Sequence, residues 1–365
     1  MLSFAPTDEQ EEIRRLAYSL ASEQLRSQGR AAEKRGDIPP SLLQTITQTG
    51  LTTPFPETYG GSGNLEAVIY ALIAEEFGFG DGALAMNTLV SMMAPVAVTL
   101  AGTERQQAAY LPPFCDEQQS ATHRGSFAFA ERTGGYTVAD ISATARKEGE
   151  NWLLNGTKRD VIHGGNADLR IGLFRLEGSS SSEGLCAIVL PTQAEGMSIS
   201  NDTQKLGLIA APSAGYRFEN LAVPASALLG EPGNAGVVRA ASFYNILRAG
   251  IACGSARAAL EYASNYAKER HAFGRPIVSY QSIAFMLVEM AMKLDAARLL
   301  LWNAATLWDS GTADATLTKA TEAAQYQALK IGKSATIDAI QVMGGAGFIQ
   351  DHPAEMWMRN TAAME

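Results

Sequence analysis

Cysteine is scarce in this chain: Cys115, Cys186 and Cys253 are the only three among 365 residues. They form no C-x-x-C pair, so neither a zinc site nor a disulfide framework is signalled, and a reduced cytoplasmic setting is expected. Charge is sparse as well. Asp, Glu, Lys and Arg make up 18% of the residues, below the roughly 25% of an average soluble protein. With 29 basic and 38 acidic residues the net charge is −9, which gives no reason to expect nucleic acid or an anionic membrane surface as partner. The first ten residues lack the basic-then-apolar pattern of a signal peptide. No G-x-G-x-x-G opens a helix after a strand, and Gly332-Lys333-Ser334 has Gln327 where a P-loop requires glycine. G-x-S-x-G and H-E-x-x-H are missing. The four histidines, His123, His163, His271 and His352, are too scattered to signal a metal centre.

The longest charge-free stretch, residues 83–101, approaches membrane-span length. Asn87, Thr88, Ser91, Pro95 and Thr99 interrupt it and Asp81 and Glu104 flank it, so the expectation is a buried helix broken near Pro95, with no membrane partner.

What is present is a three-part texture. Up to about residue 118 the apolar spacing is helical. Thr7-Asp8-Glu9-Gln10 has the form of a capping box and opens a helix expected to reach about Gly29. A second helix is expected from Pro40 to just before Gly50, then a glycine-rich loop at residues 56–63, then helices to Tyr110. From about 124 to 224, short apolar or alternating runs at 126–130, 152–154, 170–175, 185–190 and 215–218 indicate strands, and Asn155-Gly156 between two of them is a hairpin signal. Serine-rich residues 178–184 read as an exposed loop. From about 235 helix returns. Ile283, Leu287, Met290, Leu294, Ala297 and Leu301 form one bundle stripe, and Ala324, Ala328, Ile331, Ala335, Ala339 and Val342 another. Glu289 and Lys293 can pair at i,i+4. The expected organisation is an α-helical domain at 1–118, a β-domain at 119–232 and a helical bundle at 233–365, an α+β chain. Low charge with many alanines and glycines predicts much buried helical surface, part of it between subunits.

Residues 266–285 carry the most information. One helix ends, a tight Phe273-Gly274-Arg275-Pro276 turn follows, and a second helix starts, with Arg270 and Gln281 on either side. Gly274 supplies permissive backbone angles and Pro276 blocks the first helix. From the residues alone this is a helical hairpin with a cationic corner. Its wording resembles the acyl-CoA dehydrogenase family, flavoproteins that desaturate acyl thioesters. The order of helical domain, β-barrel or sandwich domain, and C-terminal four-helix bundle is that family's architecture. Gln341-Val342-Met343-Gly344-Gly345-Ala346-Gly347-Phe348 has a purely structural reading as a helix C-cap and turn. The resemblance implies instead that Gln341, Gly344 and Gly345, together with Arg270, Phe273 and Gln281, contact the adenosine half of FAD bound mainly by a neighbouring subunit. The chemistry suits the residue types: a guanidinium neutralises pyrophosphate, an aromatic packs on adenosine, and glycines allow backbone approach.

The β-domain departs from the family's pattern. Where the family has approximately Thr-Glu-x-Gly-x-Gly-Ser-Asp, this chain has Ala130-Glu131-Arg132-Thr133-Gly134-Gly135-Tyr136-Thr137 after Phe129. The threonine that hydrogen-bonds the flavin is Ala130 and the phosphate-binding serine is Tyr136, leaving Thr137 or the backbone around Gly135 to substitute. Further on, Lys158-Arg159-Asp160-Val161-Ile162-His163-Gly164 replaces Lys-x-Trp-Ile-Thr-Asn-Gly. The flavin-shielding tryptophan becomes Asp160 and the hydroxyl that meets flavin N5 becomes Ile162. An anion there disfavours the reduced, anionic flavin.

The family's base is a desolvated glutamate beside the substrate α-carbon. In most members it lies fifteen residues after the proline matching Pro353; Glu365 falls three residues short of that place, about one helical turn, and is either a frayed end or the base. The other location used in the family, just before the arginine matching Arg248, holds Leu247. The run Phe243-Tyr244-Asn245-Ile246-Leu247-Arg248 resembles the helix lining the acyl and pantetheine channel, which makes Tyr244, Asn245 and Arg248 substrate candidates; Arg248 reads equally as a structural arginine. The resemblance therefore implies FAD, an acyl thioester carried by coenzyme A or a carrier protein, an electron-transfer flavoprotein or oxygen as acceptor, and a homodimer or homotetramer. It leaves a second possibility: a non-catalytic subunit that completes a partner's FAD site.

Overall fold

The computed structural model describes residues 5–116, 118–132, 135–180, 184–200 and 204–365. Thr133, Gly134 and part of the serine-rich 178–184 segment lie outside the described residues.

The capping box forms: the Thr7 hydroxyl accepts from Gln10 N and the Gln10 side chain accepts from Thr7 N. The helix it opens is longer than expected. α1 (Asp8–Leu20) passes through one π-helical turn, Ala21–Leu25, into α2 (Arg26–Arg35), which stops at Gly36 with φ 81°. Gly29 does not end it. A Cβ there would lie 2.6 Å from Asp81 Oδ2, so this glycine serves packing. α3 (Pro40–Gln48) follows, then α4 (Ala67–Gly80), α5 (Gly82–Ser91), α6 (Met93–Ala101), α7 (Glu104–Tyr110) and α8 (Pro112–Cys115). The charge-free stretch is α5 and α6. Gly82–Ala101 is long and apolar enough to cross a bilayer, but 83% of its most apolar window is buried inside the molecule. The break falls at Met92, three residues before Pro95, because Pro95 has no N–H to offer the Ser91 carbonyl.

Among the described residues the strands of the middle domain are β1 (Gly125–Ala128), β2 (Thr144–Glu148), β3 (Asn151–Ile162), β4 (Leu169–Leu176), β5 (Leu185–Leu190), β6 (Met197–Ser200) and β7 (Ser213–Pro224). They make one seven-stranded sheet. β4 pairs antiparallel with β5 along one edge and parallel with β1 and then β2 along the other; β3, β7 and β6 continue antiparallel from β2. The hairpin expected at Asn155-Gly156 does not exist. Both residues lie inside β3, where Gly156 (φ 127°) marks a register shift against β7, and its missing side chain lets β3 approach Ala143, which a Cβ would meet at 2.7 Å. The actual β2–β3 turn is Gly149-Glu150, with Glu148 opposite Asn151.

α9 (Ala235–Glu269), α10 (Gln281–Asp309) and α11 (Asp314–Met343) are three long helices, and short α12 (Ala354–Ala362) is the fourth of the C-terminal group. The two apolar stripes face the core, with Ile283 and Ile331 at their partly buried margins. Glu289 and Lys293 pair at 3.0 Å on the outer face. α9 is the spine of the molecule, packed on α4, α10 and α11. Glycines allow its closest contact: a Cβ on Gly254 would lie 2.0 Å from the Glu75 carbonyl, and one on Gly78 2.2 Å from that of Ile251.

Candidate functional site

Two groups of the residues singled out above form, at different places. The first lies where the sheet meets the first half of α9. Phe127 and Phe129 leave β1, the following loop brings Tyr136 inward, and Tyr244, Asn245 and Arg248 project from α9. The rings of Tyr136 and Tyr244 stack at 5.8 Å between centroids, with Phe127 5.6 Å and Phe129 6.0 Å from Tyr244. Asn245 Nδ2 donates to the Tyr136 carbonyl at 3.0 Å. The Arg248 guanidinium lies 3.4 Å from the Tyr136 ring centroid, and its Nη2 donates to the Met364 carbonyl. Burial pushes the Tyr136 phenol up, and nearby Arg248 partly offsets this.

Ala130 and Ile162 are buried, Ala130 held by Arg159 N donating to its carbonyl at 2.8 Å. Asp160 sits half-buried in a bulge of β3 with φ 52°. It does not stand alone as an anion. Lys205, from the 204–212 segment, interacts with it; burial pushes the Lys205 ammonium down to about 8, with Asp160 opposing that shift, and its Nζ donates to Leu208 O at 2.9 Å and Ala211 O at 2.5 Å. Glu131 and Lys158, motif positions in sequence, prove to be a strut: Lys158 Nζ meets Glu131 Oε1 at 2.7 Å, and Glu131 also accepts from Ser142 N and Ala143 N.

The second group lies at the far end of α9. Arg270 caps that helix, its N–H bonded to Tyr266 O at 2.8 Å. Two short strands, β8 (His271–Ala272) and β9 (Arg275–Pro276), close a two-residue turn with Phe273 at φ 50° and Gly274 at φ 83°. Tyr280 braces it, donating to Ala272 O at 2.8 Å and stacking under Arg275. Phe273 is left 98% exposed. α11 runs parallel to α9, Gly332 packing on Ala252, so its last residues Gln341, Gly344 and Gly345 emerge at this same end; Tyr262 of α9 holds the following segment through His352 Nδ1 at 2.7 Å. Nothing lies within 4 Å of a Cβ built on Gly344 or Gly345, so the backbone there is open.

The fold does not unite the two groups. Arg248 and Arg270 stand 22 positions apart on one helix, about 33 Å at 1.5 Å per residue, further than a single dinucleotide reaches.

Glu365 pairs with Lys333 of α11 at 2.5 Å and is half-buried. It lies at a cleft of about 400 Å³ lined by Thr137, Glu322, Gln325, Tyr326, Leu329, Lys330 and Glu365. Thr137 turns its hydroxyl to Asp140 N at 3.2 Å. Glu322 Oε1 accepts from Val138 N at 2.9 Å, and burial pushes its carboxyl up. Glu322 and Lys205 escaped notice in the sequence. Neither belongs to a motif, and only the return of α11 and of the 204–212 segment brings them to the site.

The residues fit FAD at its nucleotide end. Arg270, Phe273, Gln281, Gln341 and the open Gly344-Gly345 backbone offer charge, an aromatic face and unobstructed peptide groups. At the ring end Ala130 and Ile162 offer apolar walls without hydroxyl donors, and the Tyr136 side chain packs inward against α9. Among the described residues no cluster of His, Cys, Asp and Glu has the arrangement of a metal site.

Comparison with known proteins gives matches along nearly the whole chain. The N-terminal, middle and C-terminal domain models of acyl-CoA dehydrogenase match residues 7–118, 126–221 and 234–365. An acyl-CoA dehydrogenase of Bacillus subtilis is 32% identical over 361 residues, covering 97% of this chain and 92% of that protein. The structure of butyryl-CoA dehydrogenase from Megasphaera elsdenii superposes with a TM-score of 0.84 at 28% identity, covering 100% of this chain and 95% of the other. That of the prolyl acyl carrier protein oxidase AnaB gives 0.84 at 25% identity, covering 99% and 95%.

Proposed function

Because this chain belongs to the acyl-CoA dehydrogenase family, we propose that it is an FAD-dependent oxidoreductase that dehydrogenates the Cα–Cβ or a similar bond of an acyl thioester. The thioester carrier is coenzyme A, as in the butyryl-CoA dehydrogenase likeness, or phosphopantetheine on a carrier protein, as the likeness to AnaB supports. The observation that carries this reading is the pair of separated half-sites. An open nucleotide-binding surface stands at one end of α9 and an aromatic, arginine-floored site at the other, the arrangement expected when each cofactor is shared between two copies.

FAD, when bound, supplies a two-electron acceptor for the hydride leaving the β-carbon. The chain's own groups do the rest. Arg270 would neutralise the pyrophosphate, Phe273 and Gln281 would hold the adenosine, and Gln341 with the Gly344-Gly345 backbone would lie against it. Phe129, Ala130, Gly135, Thr137, Asp160 and Ile162 border the ring end. Tyr244, Asn245 and Arg248 face the acyl group, and Glu365, steadied by Lys333, takes the α-proton. An electron-transfer flavoprotein or oxygen would be the electron acceptor. A homodimer or homotetramer in the cytoplasm fits the uncovered apolar side chains Phe285, Val288 and Met292 along α10, with Ile337 on α11 and Phe348 beyond it.

A second reading is favoured by Ala130, Ile162 and the inward Tyr136: a non-catalytic subunit that lends Arg270, Phe273 and Gly344-Gly345 to a partner's FAD. Purifying the chain alone separates the two. The enzyme is yellow, with FAD near one per chain; a colourless homo-oligomer that takes up FAD only with a paralogous partner would contradict the first reading. Glu365→Gln abolishes turnover if Glu365 is the base, and unchanged turnover rejects that role.

A further inference from the structure

A polar recess lies outside both groups of residues described above, where α3, the end of α5 and the segment entering β1 converge. Its free volume is about 30 Å³, two to three times the roughly 10–15 Å³ that one water needs by the same measure. Of the side chains on its wall only Arg124 and His123 are ionisable, and no carboxylate lines it. The Arg124 guanidinium is half-buried and poorly matched. Burial pulls its pKa down. Its one side-chain hydrogen bond among the described residues, Nη1 to the Ala121 carbonyl, is long at 3.4 Å. Asp37 and Asp168 oppose the shift from nearby, yet among the described residues no carboxylate comes within ion-pairing distance of the guanidinium. Both aspartates have other donors. Asp168 accepts from Arg124 N at 2.8 Å, and Asp37 from Ile38 N and Asn87 Nδ2 at 2.7 Å each.

The hydroxyls on the wall supply the rest. Those of Thr52 and Ser120 have no hydrogen-bond partner among the described residues. Ser91 Oγ accepts from Gly125 N at 3.0 Å, which leaves its own hydrogen to give. A guanidinium and three hydroxyls that can all donate form a set with no acceptor to match. We propose that this recess binds a tetrahedral oxyanion, either a free phosphate ion or the phosphoryl tip of a small phosphate monoester. Arg124 supplies charge-assisted hydrogen bonds, the strong kind, and Thr52, Ser91 and Ser120 take the remaining oxygens. The volume admits one such group and excludes a nucleotide or a pantetheine arm. No bond is made or broken; the site recognises and holds. Thr52 follows α3, Ser91 ends α5 and Arg124 immediately precedes β1, so the ion ties the N-terminal helices to the strand that leads into Phe127 and Phe129. None of this depends on the thioester reading.

The test is titration calorimetry on the full chain as purified, with inorganic phosphate, methyl phosphate and, at matched ionic strength, chloride. The native protein should bind phosphate saturably at one ion per chain and show no heat with chloride. Arg124→Met should weaken phosphate about tenfold or more, and the double variant Thr52→Val with Ser120→Ala should weaken it several-fold. Methyl phosphate binding as tightly as phosphate assigns the site to the tip of an ester; a tenfold loss assigns it to the free ion. Absence of saturable phosphate binding by the native protein overturns the inference. Phosphate bound equally by the native protein and the variants also overturns it, because the ion then sits elsewhere. If Arg124→Met fails to fold, the double variant, whose changes are small and polar to apolar, decides the matter.

Discussion

Lys158 and Glu131 show how a residue's part in a motif differs from its physical task. Both stand at positions where the family's wording is kept, yet neither reaches the candidate site. The ammonium is wholly buried, with burial pulling its pKa down and Glu131 opposing that. Replacing Lys158 with Met leaves the Glu131 carboxylate buried and unpaired. It should lower the unfolding free energy by about 3–5 kcal/mol in urea titrations, and adding Glu131→Leu should restore most of the loss. At this scale the sequence was half legible. Ala130, Asp160 and Ile162 stood out as departures because a motif supplied the expectation at each position. Lys205, which tempers Asp160, and Glu322, which holds Val138 N, had no such frame. Their roles arise from contacts between segments far apart in the chain, and local pattern carries no trace of those.

Among the elements, α9 governs the architecture, and its glycines fix how near α4 comes. Gly254→Ala places a methyl 2.0 Å from the Glu75 carbonyl, so α4 and α9 must separate. The expected loss is about 1–3 kcal/mol, read from the shift in the denaturation midpoint; an unchanged midpoint would mean the helices already stand further apart. The helices were readable because their stripes repeat over many turns, as Leu287 to Leu301 illustrates. The strand errors have a local cause. Asn155-Gly156 carries turn chemistry, but the sheet uses it to bend β3, because the flanking Leu154 and Phe218 must stay on the buried face. Gly149-Glu150, a less distinctive pair, makes the turn. Gly29 misled in the same way, its missing side chain making room for Asp81.

Two buried titratable groups give the whole molecule a tunable pH response. Asp81 caps α5, accepting from Ala83 N and Leu84 N at 2.9 Å each, and burial pushes it up to about 6. Its raised pKa favours the folded state at low pH, a contribution lost as pH rises from about 4 to 6. His163 is pushed down to about 4 by burial, with Nε2 bonded to the Asn87 carbonyl at 2.8 Å. Its contribution is present above the unfolded value of about 6.5 and is lost as pH falls towards 4. The two slopes oppose each other. Asp81→Asn should therefore make stability rise more steeply with pH between about 4 and 6, and His163→Gln should make it fall, as followed by urea unfolding across that range. Assembly belongs to this scale too. Met292→Lys, in the uncovered α10 stripe, should shift the protein to a smaller species in analytical ultracentrifugation and release bound FAD, the outcome expected of the proposed arrangement in which a neighbour lends the nucleotide end.

On the function proposed above, this chain, assembled with copies of itself, oxidises an acyl thioester. The most direct measurement is anaerobic mixing of the purified protein with glutaryl and butyryl thioesters of coenzyme A and of a carrier protein, following the visible flavin band. The band should bleach with at least one of them and return when oxygen or an electron-transfer flavoprotein is admitted. A flavin-loaded protein whose spectrum no thioester alters would contradict it.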